Sequence, residues 1–283
     1  MLGFDEDESE HAIGSQLALV AANKATVFGI GLVAWVLEKR SALLDLAINA
    51  RPKLISVSFG DISPYVERIH AAGILIASQV QSRETARRAL DAGVDVLIAQ
   101  GAEAGGHTGI VGTLPLLQLI LEMTGKPVVA AGGIATGRGF AAVLAAGAAG
   151  AWVGTPFLLA TESRTARKAQ SVLIAADETQ TVYTSVFDRV QAKGWTSEFR
   201  GRSLKNAFAD RWDGHEEELL RTPAAIAEFE DARKTSDYSK AHIYAGQSVG
   251  VLNRTSSAAE IVARLEREAI LRLQASKCLL HET

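Results

Sequence analysis

Short apolar runs recur along the first 160 residues and alternate with amphipathic stretches. The runs are too short for buried helices and are bounded by glycine and polar residues, so they predict buried strands. The six predicted strands are Val27–Val33, Leu54–Phe59, Gly73–Val80, Val94–Gln100, Pro127–Gly132 and Gly150–Gly154. Helices are predicted between them, over Ser41–Asn49, Pro64–His70, Ser82–Ala92, Leu114–Thr124 and Gly137–Ala146. This alternation is typical of βαβ units and a parallel sheet.

The positions of the glycines distinguish two kinds of parallel-sheet fold. A dinucleotide-binding fold concentrates its glycines after the first strand, whereas a (β/α)₈ barrel assembles its site from loops after several strands. Here glycines follow three different strands, within residues 101–112, 132–139 and at 154. The pattern therefore predicts an α/β fold of the TIM-barrel type that is incomplete at its N-terminus, because only about six of the eight required strands are visible.

The pattern changes after residue 160, which suggests a division of the chain. Residues 1–24 are predicted to hold an acidic, disordered start and a short helix over 12–24, and residues 25–160 the barrel core. Residues 161–247 contain most of the remaining aromatics and predict a smaller, mainly helical domain. Trp195 and Trp212 are placed in its core in preference to the alternative, a substrate wall. Residues 248–283 are expected to pack back on the barrel. A capping box at 257–260 begins an amphipathic helix whose predicted apolar face holds Val262, Leu265, Ala269 and Leu273.

Composition and charge exclude several classes of function. The formal net charge is −3, so no overall basic field attracts nucleic acid. Cys278 is the single cysteine, which excludes an internal disulfide framework and a cysteine-based zinc cluster. No apolar run approaches the roughly 18 residues that span a bilayer, and the acidic start lacks a signal-peptide pattern. We therefore expect a cytoplasmic protein without a metal, membrane or nucleic-acid partner.

The stretch Val94–Gly109 carries the candidate chemistry. Its strand ends in Gln100, and the loop GAEAGGHTG that follows holds His107. Glycines let a backbone approach a flat or phosphorylated ligand closely, and an imidazole exchanges protons near neutral pH. A buried amide at Gln100 needs hydrogen-bond partners, which a ligand with donors and acceptors would supply. Glu103, in the same loop, is interpreted as a solvated carboxylate.

Further polar and glycine positions are weighed against simpler interpretations. Gly132-Gly133 and Gly154-Thr155 follow consecutive predicted strands, where backbone amides suit a phosphate better than a simple turn. The basic cluster Arg200, Arg202 and Lys205 is interpreted as a solvated face or a domain contact. The other histidines are interpreted as surface or packing residues: His11, His70, His215, His242 and His281.

Together these segments resemble the nitronate monooxygenase family, formerly called 2-nitropropane dioxygenases. The matching segments are AQGAEAGGHTG (99–109), PVVAAGGIATGRG (127–139), GAWVGTPFL (150–158), GWTSEFRGRSLKNAF (194–208) and YAGQSVG (244–250). The resemblance implies an FMN-dependent TIM-barrel flavoprotein with an added helical domain, in which His107 is the catalytic residue. It also implies these cofactor-binding residues: Gln79, Gln100, Gly105, Gly106, Gly132, Gly133, Trp152, Val153, Gly154 and Thr155.

The activity implied by this resemblance is the oxidation of alkyl nitronates by O₂ to a carbonyl compound and nitrite. The family's usual first two βα units, with a Pro-Met-Ala-Gly loop, have no counterpart, and Gly31 stands where the family usually has Asn. Three alternatives stay open: an FMN-dependent enoyl-acyl-carrier-protein reductase, an NAD(P)H:quinone reductase, and a non-catalytic remnant or interaction module. The exposed edges of an incomplete barrel also leave assembly into a homo-oligomer open.

Overall fold

A parallel sheet is the framework of the protein, whose computed structural model describes residues 2–3, 10–22 and 27–276. In spatial order its strands are β1 (Leu2–Gly3), β2 (Gly29–Val33), β3 (Leu54–Ser58), β4 (Leu75–Val80), β5 (Val96–Gln100), β7 (Val128–Ala131) and β8 (Gly150–Trp152). The register aligns Ala99 with Ala130 and Ala130 with Ala151. The loops that follow β5, β7 and β8 therefore leave the sheet at the same edge.

All six predicted strands are present, and the sheet contains one more. The two-residue β1 pairs in parallel with β2, although residues 1–11 were expected to be disordered. The prediction missed β1 because two residues carry no periodic signal; residues 1 and 4–9 lie outside the described part. Closure of a TIM barrel needs eight strands, and among the described residues β1 and β8 remain two unpaired edges.

Helices follow the strands and cover the outer face of the sheet. They are α1 (Glu10–Ala22), α2 (Ala34–Lys39), α3 (Ala42–Asn49), α4 (Ser63–Ala71), α5 (Arg83–Ala92), α6 (Thr113–Leu121) and α7 (Gly137–Ala145). Helix α5 shows why these residues are helical. Ser82 caps it in a reciprocal box with Thr85, and Gly93 ends it in the left-handed conformation at φ 97°. Both residues lie at the two ends of the predicted helix Ser82–Ala92.

Aliphatic packing between the sheet and these helices forms the main core. Ile55, Ile76 and Leu97 from the strands are completely buried, as are Leu116 and Ile120 from α6. Burial of each such side chain contributes about 1.5–3 kcal/mol. The low aromatic content of the chain is consistent with a core built mainly from aliphatic residues.

Asp95 links two strands at the opposite, amino-terminal edge of the sheet. Its carboxylate accepts a hydrogen bond of 2.8 Å from the Ile76 amide and pairs with His70 at 3.0 Å. Burial alone would raise the pKa of Asp95, but the Ile76 amide and the His70 ring outweigh it and hold that pKa below its ordinary value. His70 is therefore the surface residue that the sequence predicted, with a structural partner.

A second unit lies beside the barrel and combines helices with an antiparallel sheet. Its helices are α8 (Arg167–Ala175), α9 (Val186–Val190), α10 (Ala207–Trp212), α11 (Glu216–Leu220) and α12 (Pro223–Thr235). Its sheet has the order β6 (Gly106–Thr108), β10 (Arg200–Leu204), β9 (Thr181–Thr184). The expectation of a mainly helical domain left this sheet out. Because β6 comes from the loop after β5, the sheet joins the second unit to the barrel.

The C-terminal helix α13 (Ala258–Ser276) packs on α7 of the barrel. Its buried face holds Ile261, Leu265 and Ala269. Val262 is 53% exposed, so the predicted face was wrong at this residue, and Ile261 is buried in its place. Gly137 allows the close approach, because a Cβ there would overlap the Glu268 side chain. Within the described ranges, no helix is both long and apolar enough to cross a membrane.

Candidate active site

Gln100 lies at the carboxyl end of β5 and is buried, with both ends of its amide engaged inside the protein. Its oxygen accepts a hydrogen bond of 2.8 Å from the Gln81 amide, and its nitrogen donates to the His107 carbonyl at 3.0 Å. Gln100 therefore also positions the loop that carries His107. Gln81 was not predicted as a site residue, although its position just beyond the end of β4 is a signal for one.

His107 lies in β6, paired with Gly201 of β10. Its Nε2 is 2.9 Å from Oδ1 of Asp188, and the two side chains are only 10% and 5% exposed. The Tyr244 hydroxyl donates a second hydrogen bond of 3.1 Å to the same carboxylate oxygen. A buried carboxylate needs such donors. Asp188 consequently holds the imidazole in one orientation, with the proton on Nε2.

The indole of Trp195 covers one face of this imidazole. The ring centroids are 3.5 Å apart and the planes differ by 6°. The interpretation of Trp195 as core of the helical domain was therefore wrong, whereas Trp212 is 4% exposed and does belong to that core. Trp195 leaves the core because the segment before β10 runs over the barrel, a placement that only the β6–β10 pairing decides.

The predicted cofactor-binding residues surround a cavity of about 280 Å³. Nine of the ten line it: Gln79, Gln100, Gly105, Gly106, Gly132, Gly133, Trp152, Gly154 and Thr155. Val153 does not, because its side chain packs into the apolar core behind the loop. His107 lines a neighbouring cavity of about 210 Å³, and Tyr244 lines both. The structure thus brings together the glycine loops and places His107 next to them.

Glycines in this region let two loops meet backbone to backbone. A Cβ at Gly105 would lie 2.6 Å from the Ala245 carbonyl carbon, and one at Gly246 would lie 2.5 Å from the Glu103 carbonyl oxygen. Such distances are too short for a Cβ. The loop 244–250 can therefore pack against the loop 101–109, which carries His107, only because glycines stand at the contact. The Thr155 hydroxyl accepts a hydrogen bond of 3.0 Å from the Gly246 amide and ties the same loop to the end of β8.

The same loops supply amides that could bind an anion. Gly132 and Gly133 have positive φ angles of 104° and 70°, which turn the chain sharply after β7. Within the described part of the chain, the amides of Gly133, Gly154 and Thr155 have no hydrogen-bond acceptor. Because Thr155 Oγ1 accepts from Gly246, its hydroxyl hydrogen is also available for donation. The lining of this cavity therefore includes the residues that carry these amides and no carboxylate, a composition that favours an anionic ligand.

Two charged side chains, Glu103 and Arg202, form hydrogen bonds that hold the loop 101–109 in place. Glu103 accepts hydrogen bonds of 2.7 Å from both the amide and the hydroxyl of Thr113, so its interpretation as a solvated carboxylate was wrong. Arg202 donates to the Ala102 carbonyl at 2.6 Å, which makes it a contact between the two units. Burial lowers the pKa of Arg202, although the charge of Glu103 acts in the opposite direction. Lys205 instead pairs with Asp210 at the surface, 3.4 Å away.

Among the residues that the structure describes, no three His, Cys, Asp or Glu side chains come together in a way that could hold a metal ion. The polar groups of the described site are the His107 imidazole, the Asp188 carboxylate and the Tyr244 phenol, which lie beside the glycine-lined cavity.

Comparison with known proteins identifies relatives along nearly the whole chain. The family model for nitronate monooxygenase matches residues 7–268. A nitronate monooxygenase of Paraburkholderia phytofirmans is 32% identical over 242 residues, which are 80% of this chain and 63% of the relative. A nitronate monooxygenase of Neurospora crassa is 32% identical over 229 residues, 76% of this chain and 59% of the relative. The chain thus spans about three fifths of the length of these curated relatives.

The fold is also similar to that of a solved relative. The structure of nitroalkane oxidase from Streptomyces ansochromogenes superposes with a TM-score of 0.81 at 25% identity, over 97% of this chain and 89% of that one. The match of the family model over residues 7–268, the identity to the curated relatives and this superposition agree. The chain belongs to the nitronate monooxygenase family.

Proposed function

We propose that the protein is an FMN-dependent oxidoreductase that uses O₂ to convert alkyl nitronates into carbonyl compounds and nitrite, with His107 as its catalytic residue. The observation that carries this proposal is the buried His107–Asp188 pair beside the glycine-lined cavity. Membership of the family supports the choice of nitronates as the substrate class.

The glycine-lined cavity fits a phosphorylated flavin. The amides of Gly133, Gly154 and Thr155 would hold the phosphate of FMN, because all three residues line this cavity and their amides have no acceptor in the described chain. Gln79 and Gly105 line the same cavity and would face the ring system. When bound, FMN supplies the electron transfer that no amino-acid side chain at this site can perform.

The protein's own residues would control a proton at His107. Since Asp188 accepts the Nε2 hydrogen, Nδ1 is the nitrogen left to exchange a proton with a substrate. With a neutral nitroalkane, Nδ1 would take the α-proton, and the resulting imidazolium would be stabilised by the Asp188 carboxylate. With a nitronate, which has already lost that proton, orientation of the anionic oxygens would need the imidazolium form, whose Nδ1–H can donate a hydrogen bond to one of them. Trp195 shields the ring face from water.

The test is reconstitution of the purified chain with FMN, followed by measurement of O₂ uptake and nitrite formation with nitronates. We expect a His107→Gln variant to bind FMN with unchanged affinity. With a neutral nitroalkane it should lose about 10²- to 10⁴-fold in kcat, the usual contribution of a general base, and with a nitronate, which needs no base, it should lose less. Flavin binding without any nitronate turnover would refute the activity. Undiminished turnover by the variant would refute the role of His107.

The same sample tests the enoyl-acyl-carrier-protein reductase and quinone reductase alternatives through NAD(P)H oxidation. The basic cluster that would receive an acidic carrier protein keeps Arg200 exposed but loses Arg202 from the surface. Arg202 is turned inward to the Ala102 carbonyl, and Lys205 is paired with Asp210. Membership of the nitronate monooxygenase family supports nitronate oxidation over both alternatives.

A further inference from the structure

A second, larger cavity adjoins the glycine-lined one. Its volume is about 740 Å³, within the range of about 300–1,000 Å³ typical of small-molecule sites. It lies at the carboxyl ends of β3 and β4, under the segment 194–199. Gln79 lines both cavities, so the two spaces meet at the end of β4.

Four aromatic rings form one continuous wall of this cavity. Trp195 makes edge-to-face contacts with Trp35 and Phe59, at centroid distances of 5.5 and 5.1 Å. Phe59 in turn contacts Phe199 at 5.2 Å. Because Trp195 is also stacked on His107, the wall begins at the imidazole and leads away from it.

The backbone at Phe59 is strained in a way that places its ring in this wall. Phe59 has a φ of 64°, in the left-handed backbone region that residues other than glycine rarely adopt. Gly60 follows at φ 146°, where a Cβ would lie 2.9 Å from the Ala34 Cβ. Strain of this kind is retained where the surrounding structure requires it, and it concentrates at functional sites.

The mouth of the cavity is acidic. Glu38, Asp61, Asp91 and Glu198 line it with exposed carboxylates, and Arg88 is the single cation among the lining residues. Arg88 is also 3.8 Å from Glu84 of its own helix. The cavity therefore combines an apolar wall with a mouth that repels anions, a repulsion that salt weakens because the charges are exposed.

We propose that this cavity receives the uncharged apolar substituent of the substrate. The enzyme would then act preferentially on nitronates with a long alkyl or aryl chain, and it would disfavour short nitronates and those whose chain ends in a carboxylate. This inference rests on the proposed function, since it names the substrate class of that same site.

The test compares kcat/KM of the FMN-loaded chain for the nitronates of nitroethane, 1-nitropentane and 4-nitrobutanoate. Each methylene moved from water into the cavity should raise kcat/KM by up to about fourfold. We expect 1-nitropentane to exceed nitroethane, and also 4-nitrobutanoate, by at least about tenfold. In Glu198→Gln, 4-nitrobutanoate should gain relative to 1-nitropentane at low ionic strength, and the gain should disappear in high salt.

Variants separate the wall from general effects on folding. Phe59→Leu should reduce the ratio of kcat/KM for 1-nitropentane to that for nitroethane by about fivefold, because it removes ring area from the wall. Phe140→Leu makes the same substitution at a residue that does not line the cavity, so its ratio should equal that of the unmodified protein. Equal kcat/KM for all chain lengths would overturn the inference while leaving the proposed function intact.

A binding measurement keeps the two hypotheses distinguishable. If no nitronate is turned over, the proposed function fails, and the affinity for neutral nitroalkanes still decides the role of the cavity. Tryptophan fluorescence should report binding, since Trp35 and Trp195 both line the cavity. Tighter binding of 1-nitropentane than of nitroethane, lost in Phe59→Leu, would support an apolar-chain site. Equal affinity would refute it.

Discussion

Replacement of Asp188 by asparagine is the most direct test of how His107 is controlled. The amide has nearly the same size as the carboxylate and keeps an oxygen within reach of His107 Nε2 and the Tyr244 hydroxyl, now 2.9 and 3.1 Å from Oδ1. It cannot carry the negative charge that stabilises an imidazolium. The substitution therefore removes charge while it leaves the shape of the site intact.

The expected size of the effect follows from the burial of the pair. With side chains 10% and 5% exposed, water cannot replace the lost charge. Hydrogen bonds to charged groups contribute about 1.5–3 kcal/mol, which corresponds to a loss of about 10- to 150-fold in rate. The full loss is expected with a neutral nitroalkane, because only that substrate gives His107 a proton. The loss with a preformed nitronate should be smaller.

The assay is steady-state O₂ uptake with both substrate forms, together with an FMN titration. FMN affinity should not change, because Asp188 does not line the glycine-lined cavity. Asp210→Asn is the matched control: it makes the same substitution in the same unit at an exposed carboxylate, where no change is expected. If Asp188→Asn is folded and within twofold of the unmodified protein on the neutral nitroalkane, the pair has no role in proton transfer.

Three further predictions address loops and stability. Gly105→Ala should lower the unfolding temperature by several degrees and weaken FMN binding, because its Cβ would lie 2.6 Å from the Ala245 carbonyl carbon; Gly125→Ala, with open space around it, should do neither in the same melting and titration experiments. Thr155→Val removes the hydroxyl that accepts a hydrogen bond from the Gly246 amide. It should weaken FMN binding about tenfold in a fluorescence titration, and Thr155→Ser should restore the affinity. Because the pKa of Asp95 is lower in the folded than in the unfolded protein, its carboxylate stabilises the fold above the unfolded pKa, and this stabilisation is lost as pH falls through the folded pKa. In melting curves from pH 6 to 2, the unfolding temperatures of Asp95→Asn and the unmodified protein should therefore become equal only at the acid end.

The sequence by itself determined the strands and helices of the barrel other than β1 and α2, together with the loops at their ends. Alternating apolar runs report burial on a sheet, and local signals such as Ser82 and Gly93 set helix ends, because both depend only on neighbouring residues. The glycine loops after β5, β7 and β8 could be placed on one edge for the same reason, since parallel strands end together.

Only the tertiary structure decided how His107 is held and what surrounds it. Asp188 is 81 residues away in sequence, and its helix meets β6 only because the antiparallel sheet joins the barrel loop to the second unit. No local pattern marks such a partner. The general preference of tryptophan for a core predicted a core position for Trp195. The course of segment 194–199 instead places its indole against the His107 imidazole. Contacts across long separations depend on which surfaces the folded chain brings together, and the periodicity of apolar residues carries no information about that pairing.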